Sequence, residues 1–251
     1  MRSKTLFFTM LVLAVGGCQG GDSLSPEAAR RTAAFSPVND DVDQVVHVDH
    51  MKGGVVNEAR TVTTEAKSFR LESGGIHWLN GGNVEYIISG TEAVSGGNAA
   101  IEASEVTWDS YVTPRTFSHT QSSTQVNPCT GRPNTVGWST IDGPGNIVAV
   151  TATCFSRKGK QIVGFEMAID QEEPWSIGGS STTLDVQNTV THEFGHAVGL
   201  GHVSSPNDVC LTMYPSVTLG EIQKRTLGLG DKLGMARLYG STDVTAGTCG
   251  T

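Results

Sequence analysis

The run His192-Glu193-Phe194-Gly195-His196-Ala197-Val198-Gly199-Leu200-Gly201-His202 constrains this chain more than any other stretch. His192 and His196 are four apart, so on a helix they sit on one face a turn apart and can hold one ion together. Glu193 then stands beside that ion without having to bind it. Gly199 can take the positive φ that ends a helix, and a sharp turn brings His202 to the same ion. Three neutral imidazoles leave a fourth position open, the arrangement of a catalytic rather than a structural zinc site. Zinc so held lowers the pKa of bound water to about 7 and polarises a carbonyl. Glu193 is placed to take the water proton and deliver it to a leaving amine. Ordinary residue frequencies put a bare His-Glu-x-x-His in a chain of this length by chance at somewhat under ~1%, and the glycine and third histidine lower that by roughly a further thousandfold. A histidine-rich helix that binds nothing is the alternative.

The first residues bear on the compartment. Arg2 and Lys4 precede an apolar run from Leu6 to Val15, too short for a membrane-crossing helix of about 20 residues and fitting the core of a secretory signal. It ends in Val15-Gly16-Gly17-Cys18, which resembles a bacterial lipobox. Residues 1–17 are therefore expected to be a lipoprotein-type signal peptide and Cys18 the lipid-bearing residue; an ordinary signal with a stray cysteine is the alternative. Of five cysteines, Cys129, Cys154, Cys210 and Cys249 then remain, an even number that reads as two disulfides in an exported protein. Three connectivities are open, and Cys129–Cys154 with Cys210–Cys249 closes the most local loops. A net charge of −8 without a basic block argues against nucleic-acid binding.

Residues 18–68 are polar apart from a short alternating stretch at Val45-Val46-His47-Val48 and read as a tether or propeptide with weak structure. A globular domain is expected over 69–240, followed by a tail over 241–251 pinned by Cys249. Five strands are expected, at Asn83–Ser89, from Phe117, and at Thr135–Ile141, Ile147–Phe155 and Gln161–Asp170, rich in β-branched and aromatic residues and divided by Gly, Pro and Asn. A helix from Asn98 to about Val112 carries Ile101, Trp108 and Tyr111 on one face. A second, capped by Thr183 or Asp185, runs to about Val198. The class is α+β: one sheet with two helices packed on it. His47 and His50 have helix-pair spacing but lie in polar tail; His77 and His119 read as surface or packing residues. Asp170-Gln171-Glu172-Glu173 could contribute oxygens to a calcium site, or be a solvated acidic turn.

The histidine motif, with Met213-Tyr214-Pro215 downstream, resembles the metzincin metallopeptidases and within them the matrixins, the matrix metalloproteinase group. Trp108-Asp109 with Thr113-Pro114-Arg115, Asp142-Gly143-Pro144-Gly145 with Ile147-Val148-Ala149, and Leu238-Tyr239-Gly240 extend the resemblance over most of 69–240. It implies a zincin-like domain with a twisted five-stranded mixed sheet, one antiparallel edge strand, an active-site helix and a backing helix. It implies one catalytic zinc on His192, His196 and His202, with Glu193 as general base and acid and Met213 in a turn beneath the histidines. Ile147, Val148, Ala149 and Val150 would pair with an extended peptide; Pro215, Ser216 and Val217 would line the pocket beyond the scissile bond, and Asn188 would set its depth. Val150 and Ala168 stand where matrixins carry structural-zinc histidines, so no second zinc is expected. Tyr214 is one residue too early for the astacin tyrosine ligand. No cysteine-switch motif precedes the domain, and Asn127-Pro128-Cys129 reads as a disulfide-bearing turn; an aspartate from the 39–49 segment capping the zinc is a further conjecture. The expectation is a monomeric bacterial zinc endopeptidase acting on proteins or peptides, anchored by lipid to the outer membrane or cell surface or released from it. A catalytically silent zinc-containing surface binding protein is the alternative.

Overall fold

The computed structural model describes residues 41–55, 66–79, 83–109, 111, 117–242 and 244–245. Seven strands form the main sheet: β1 (Val42–Val55), β2 (Val84–Ser89), β3 (Phe117–His119), β4 (Thr135–Ser139), β5 (Ile147–Ser156), β6 (Gln161–Asp170) and β7 (Val217–Leu219). Their order is β7-β1-β5-β6-β4-β2-β3. The block β3-β2-β4-β6 is parallel throughout, and β5 lies antiparallel to β6. These are the five strands that local composition predicts. All but the last residue of β5 are buried, as its run of β-branched and small residues requires.

Two expectations fail here. The strand Ile147–Ser156 is not the sheet edge, and residues 42–55 are not weakly structured. β1 runs antiparallel along β5 from Val42↔Ser156 to His50↔Ile147 and parallel along β7, so the sheet gains two strands. The alternation in β1 makes this favourable. Val46 and Val48 pack on one side with Ile141, Ile147, Val150 and Ala168, while Val45 and Met51 pack on the other against the main core. A polar-looking segment thus buries apolar side chains on both faces.

Helices α1 (Gly97–Asp109), α2 (Val186–Ala197) and α3 (Leu229–Tyr239) complete the architecture. Ile101 and Trp108 are buried as expected. Asn98 does not cap α1, since its side-chain oxygen accepts from Trp138 Nε1. Asp185 does cap α2, accepting from Asn188 N, in the manner favoured at helix N-termini. The sheet packs on α2 through Tyr86, Phe117, Phe165 and Phe194, whose rings meet edge-on or tilted at 5.4–6.2 Å, the geometry the ring quadrupoles favour. Two indoles hold α2 by its backbone: Trp108 Nε1 donates to Thr191 O and Trp78 Nε1 to Ala197 O. The second satisfies a carbonyl of the last turn that has no partner inside the helix. Cys129 and Cys154 form a disulfide. Cys210 is also disulfide-bonded, while Cys249, its expected partner, and Cys18 lie outside the described residues.

Candidate active site

α2 carries His192, Glu193 and His196 in its buried last turns, and Gly199 leaves the helix at φ 97°. A Cβ there would meet Ile76 O at 2.1 Å, so both the backbone conformation and the close approach require glycine. The turn brings His202 back, and the three Nε2 atoms lie 3.0–3.2 Å apart. His192 Nδ1 donates to Thr212 O and His196 Nδ1 to Leu200 O. With the proton on Nδ1, each neutral ring turns its Nε2 lone pair inward. Burial, reinforced by neighbouring imidazoles, lowers the His196 pKa well below its usual range, and burial lowers that of His192. Neutral imidazole is the metal-binding form.

A fourth group closes the set. Asp49, on β1, places its carboxylate oxygens 3.1 Å from His192 Nε2 and 3.1 Å from His202 Nε2. Both oxygens are buried and lack a hydrogen-bond donor. In the neutral tautomer His192 Nε2 is itself an acceptor, so lone pairs face lone pairs across the site. A cation reconciles them. Zinc–nitrogen bonds of about 2.0–2.1 Å in a tetrahedron would set ligand nitrogens about 3.3 Å apart, close to the spacing seen here. The donor set therefore fits zinc. Among the described residues, Asp49, His192, His196 and His202 are the group able to hold a metal ion. Against its burial, attraction to the adjacent His192 ring holds the Asp49 carboxyl well below the ordinary range.

Glu193 is fully buried. Its Oε2 accepts from the Thr151 hydroxyl on β5, and its Oε1 has no donor. Burial and the nearby Asp49 carboxylate push its pKa well above the usual range. Met213, buried against Gly195 of α2, is fixed by Asp231, whose carboxylate accepts from the backbone N–H of Thr212, Met213 and Gly228.

Beside this centre β1 lies between β5 and β7, paired with both. Ile147, Ala149 and Val150 of β5 pair with β1, whereas Val148 is skipped where the ladder slips between Asp49 and His50. Val217 lines a cavity of about 10 Å³ with Asp49, Thr189, His192 and Lys224, room for about one water. Asn188 is not among the lining residues; its Oδ1 accepts from Lys224 N, and Thr189 supplies the α2 side of the pocket. Lys224 Nζ donates to Tyr214 O and Ser216 O, so it holds the turn containing Pro215 in place.

Local sequence missed Thr151 and Lys224, and offered Asp49 only as one of the aspartates of the 39–49 segment conjectured to cap the zinc. The alternation around Val45–Val48 was the signal for the strand that carries Asp49, but the segment around it resembled polar tail. His47 is not tail either: its ring stacks on His196 at 3.7 Å between centroids, and its Nε2 lies 3.0 Å from Glu72 Oε2. Against burial, this contact draws the Glu72 pKa down to about 2. His77 and His119 do serve packing, on Gly75 O and Glu102. Asp170 and Glu173 do not form a solvated turn. Both are buried and accept backbone N–H bonds from Ile141, Asp142 and Gly145. Val150 and Ala168 are register partners in an apolar cluster.

Comparison with known proteins agrees with this geometry. The family described as Matrixin matches residues 77–240. Human matrilysin is 36% identical over 100 residues, covering 40% of this chain and 34% of that protein. Human matrix metalloproteinase-25 is 36% identical over 88 residues, 35% of this chain and 16% of that protein. Metalloendoproteinase 1-MMP of Arabidopsis thaliana is 36% identical over 77 residues, 29% of this chain and 20% of that protein. The chain thus spans about a third or less of the length of these relatives. With the three-histidine centre, the glycine-ended helix and the methionine turn in place, this chain belongs to the matrixin family.

Proposed function

We propose that the chain is a zinc-dependent endopeptidase hydrolysing protein or peptide bonds. The observation that carries this reading is the convergence of three Nε2 lone pairs beside a buried glutamate whose Oε1 has no donor. Zinc on His192, His196 and His202 would supply Lewis acidity, polarising a peptide carbonyl and acidifying water. The chain's own groups do the rest. Glu193 Oε1 takes the proton from water, while the Thr151 hydroxyl keeps the carboxylate oriented through Oε2. The same carboxyl then hands the proton to the leaving nitrogen. His192 and His196 are held in the ligating tautomer by Thr212 O and Leu200 O. An extended substrate would pair with the backbone of β5, and its side chain beyond the scissile bond would face Val217, Thr189 and Lys224.

The silent-binding alternative gains no support from a glutamate so oriented. Glu193→Gln tests the mechanism on the full-length chain. About one zinc per chain should be retained by metal analysis, while chelator-sensitive cleavage of a peptide library falls by about 10²–10⁴-fold, the scale of general-base catalysis. Wild-type cleavage rates in the variant would sink the mechanism. Calcium at the Asp170–Glu173 turn belongs to the proposal as a structural cation, supported by the buried Glu173 Oε2, which lacks a donor. A bacterial envelope location, lipid at Cys18 and a monomeric state complete the reading; the first two rest on the lipobox sequence. No helix among the described residues is long and apolar enough to cross a membrane.

A further inference from the structure

Beside the metal centre, Lys224 is a buried cation with an incomplete set of hydrogen bonds. Its side chain is 3% exposed, and an ammonium has three protons to donate. Two go to Tyr214 O and Ser216 O, each at 2.7 Å. Glu221 Oε1 stands 3.8 Å from Nζ, too far for a hydrogen bond. The third proton therefore has no acceptor among the described residues. Thr189 is in the same condition: it is buried, and its hydroxyl has no partner. Lys224 belongs to the short helix Gln223–Arg225 and Thr189 to α2, and with Val217 and His192 they line one cavity. Asp49 completes the lining, its carboxylate turned to His192 and His202. Lys224 is fixed in place, because its backbone N–H donates to Asn188 Oδ1 at 2.8 Å and the neighbouring Arg225 Nε donates to Asp185 Oδ1 at 2.8 Å. A buried donor left unpaired is costly. Two such donors on one cavity, one of them cationic, call for an anionic acceptor.

We propose that this cavity recognises an acidic side chain, with Lys224 Nζ and Thr189 Oγ1 as its donors, and that the chain cleaves on the amino side of aspartate, and less readily of glutamate. The proposal rests on the peptidase reading, in which the side chain beyond the scissile bond faces Val217, Thr189 and Lys224, and adds the substrate class. The cavity of about 10 Å³ has room for about one water, the size of one carboxylate oxygen. It takes the end of a short acidic side chain. The branched end of leucine is too wide for it and would leave both donors unpaired. An amide or hydroxyl oxygen would pair with them, but a hydrogen bond to a charged acceptor is stronger. Glu221 and Asp49 are the like charges that an incoming carboxylate meets. Asp49 is committed to the histidines, and Glu221 Oε2 accepts from Thr218 N and Oγ1, so neither supplies the acceptor that Lys224 and Thr189 lack.

Metal-binding ligands read the cavity without reference to turnover. Two succinyl hydroxamates, alike except for a carboxymethyl or an isobutyl group as the first side chain beyond the hydroxamate, are titrated by calorimetry into the zinc-loaded full-length chain. Whatever the two ligands share cancels in the ratio of their dissociation constants. The carboxymethyl ligand is expected to bind at least about 10-fold tighter than the isobutyl one. Lys224→Met should remove that preference, Thr189→Val should reduce it about 3-fold, and Glu221→Gln should widen it about 3-fold by removing a like charge. Should Lys224→Met misfold, the other two variants, which keep Lys224, decide the question. An isobutyl ligand bound as tightly as the carboxymethyl one by the wild type would overturn the proposal. So would a ratio that neither Thr189→Val nor Glu221→Gln moves, or a zinc-loaded chain that binds neither ligand. In parallel, peptides differing only at the residue after the scissile bond are digested, and kcat/KM should fall from aspartate through glutamate to leucine, by at least about 10-fold overall. Leucine cleaved in preference to aspartate would overturn the acidic site and leave the peptidase standing. No cleavage of any peptide, with the calorimetric preference intact, would overturn the peptidase reading and leave the acidic site standing.

Discussion

Gly195 shows how tightly single residues are specified around the metal centre. A Cβ at this position would meet Met213 Sδ at 2.1 Å and Trp108 at 3.0 Å. The thioether and the indole both press on α2 where it has no side chain, so the glycine inside the histidine motif is a packing requirement of the methionine turn. Replacing glycine by alanine in a helix interior normally gains up to ~1 kcal/mol. Here crowding should win: Gly195→Ala is expected to destabilise by about 1–3 kcal/mol, as overpacked cores do. A thermal melt of the zinc-loaded chain checks this, and an unchanged or higher midpoint would contradict it. The histidine spacing can be stated from the motif alone, whereas the reason for Gly195 lies in Met213 and Trp108, far along the chain.

The elements divide by how local their causes are. α1 was legible from its apolar spacing and α2 from its Asp185 cap and terminating Gly199, and β2 to β6 because β-branched runs end in Gly, Pro or Asn. β1 was not legible as a strand, since its partners β5 and β7 lie far along the chain, and His47 and Asp49 make sense only once His196 and His202 are beside them. α1 also carries a titration that sequence does not show. Burial, then the neighbouring Asp109 and Glu102, raises Glu105 to about 7, and burial raises Asp109 to about 6. A carboxyl whose folded pKa is raised contributes stability that is complete below its unfolded pKa and lost as pH climbs through the folded value. The α1 contribution to stability should therefore decline between about pH 4.5 and pH 7. Glu105→Gln should flatten that decline, recovering about 1 kcal/mol at pH 8, or about 2–4 °C in melting midpoint. A pH series of melts on both proteins that runs parallel would refute the assignment.

At the scale of the whole molecule, the sheet, the helices and the disulfide converge on one cleft. Cys129 and Cys154 lie 25 residues apart and pack with Val42 at the start of β1. Closing a loop of that size restricts the unfolded chain by about 3 kcal/mol. The paired change Cys129→Ala with Cys154→Ala is expected to lower the melting midpoint by several degrees while zinc stoichiometry stays at about one, because neither sulfur touches the centre. Loss of zinc in that variant would show that the bond supports the site as well as the fold. The sequence by itself determined the family, the three histidines that converge as a candidate metal centre and five of the seven strands of the main sheet, since each rests on residue types at fixed short spacing. Only the tertiary structure decided which segment lies between β5 and β7. The pairing of β1 with β5 and β7, the placing of Asp49 against His192 and His202, the Thr151 bond to Glu193 and the Lys224 strut all join segments distant along the chain. Hydrogen bonds and burial between such segments leave no local periodicity from which they could be read.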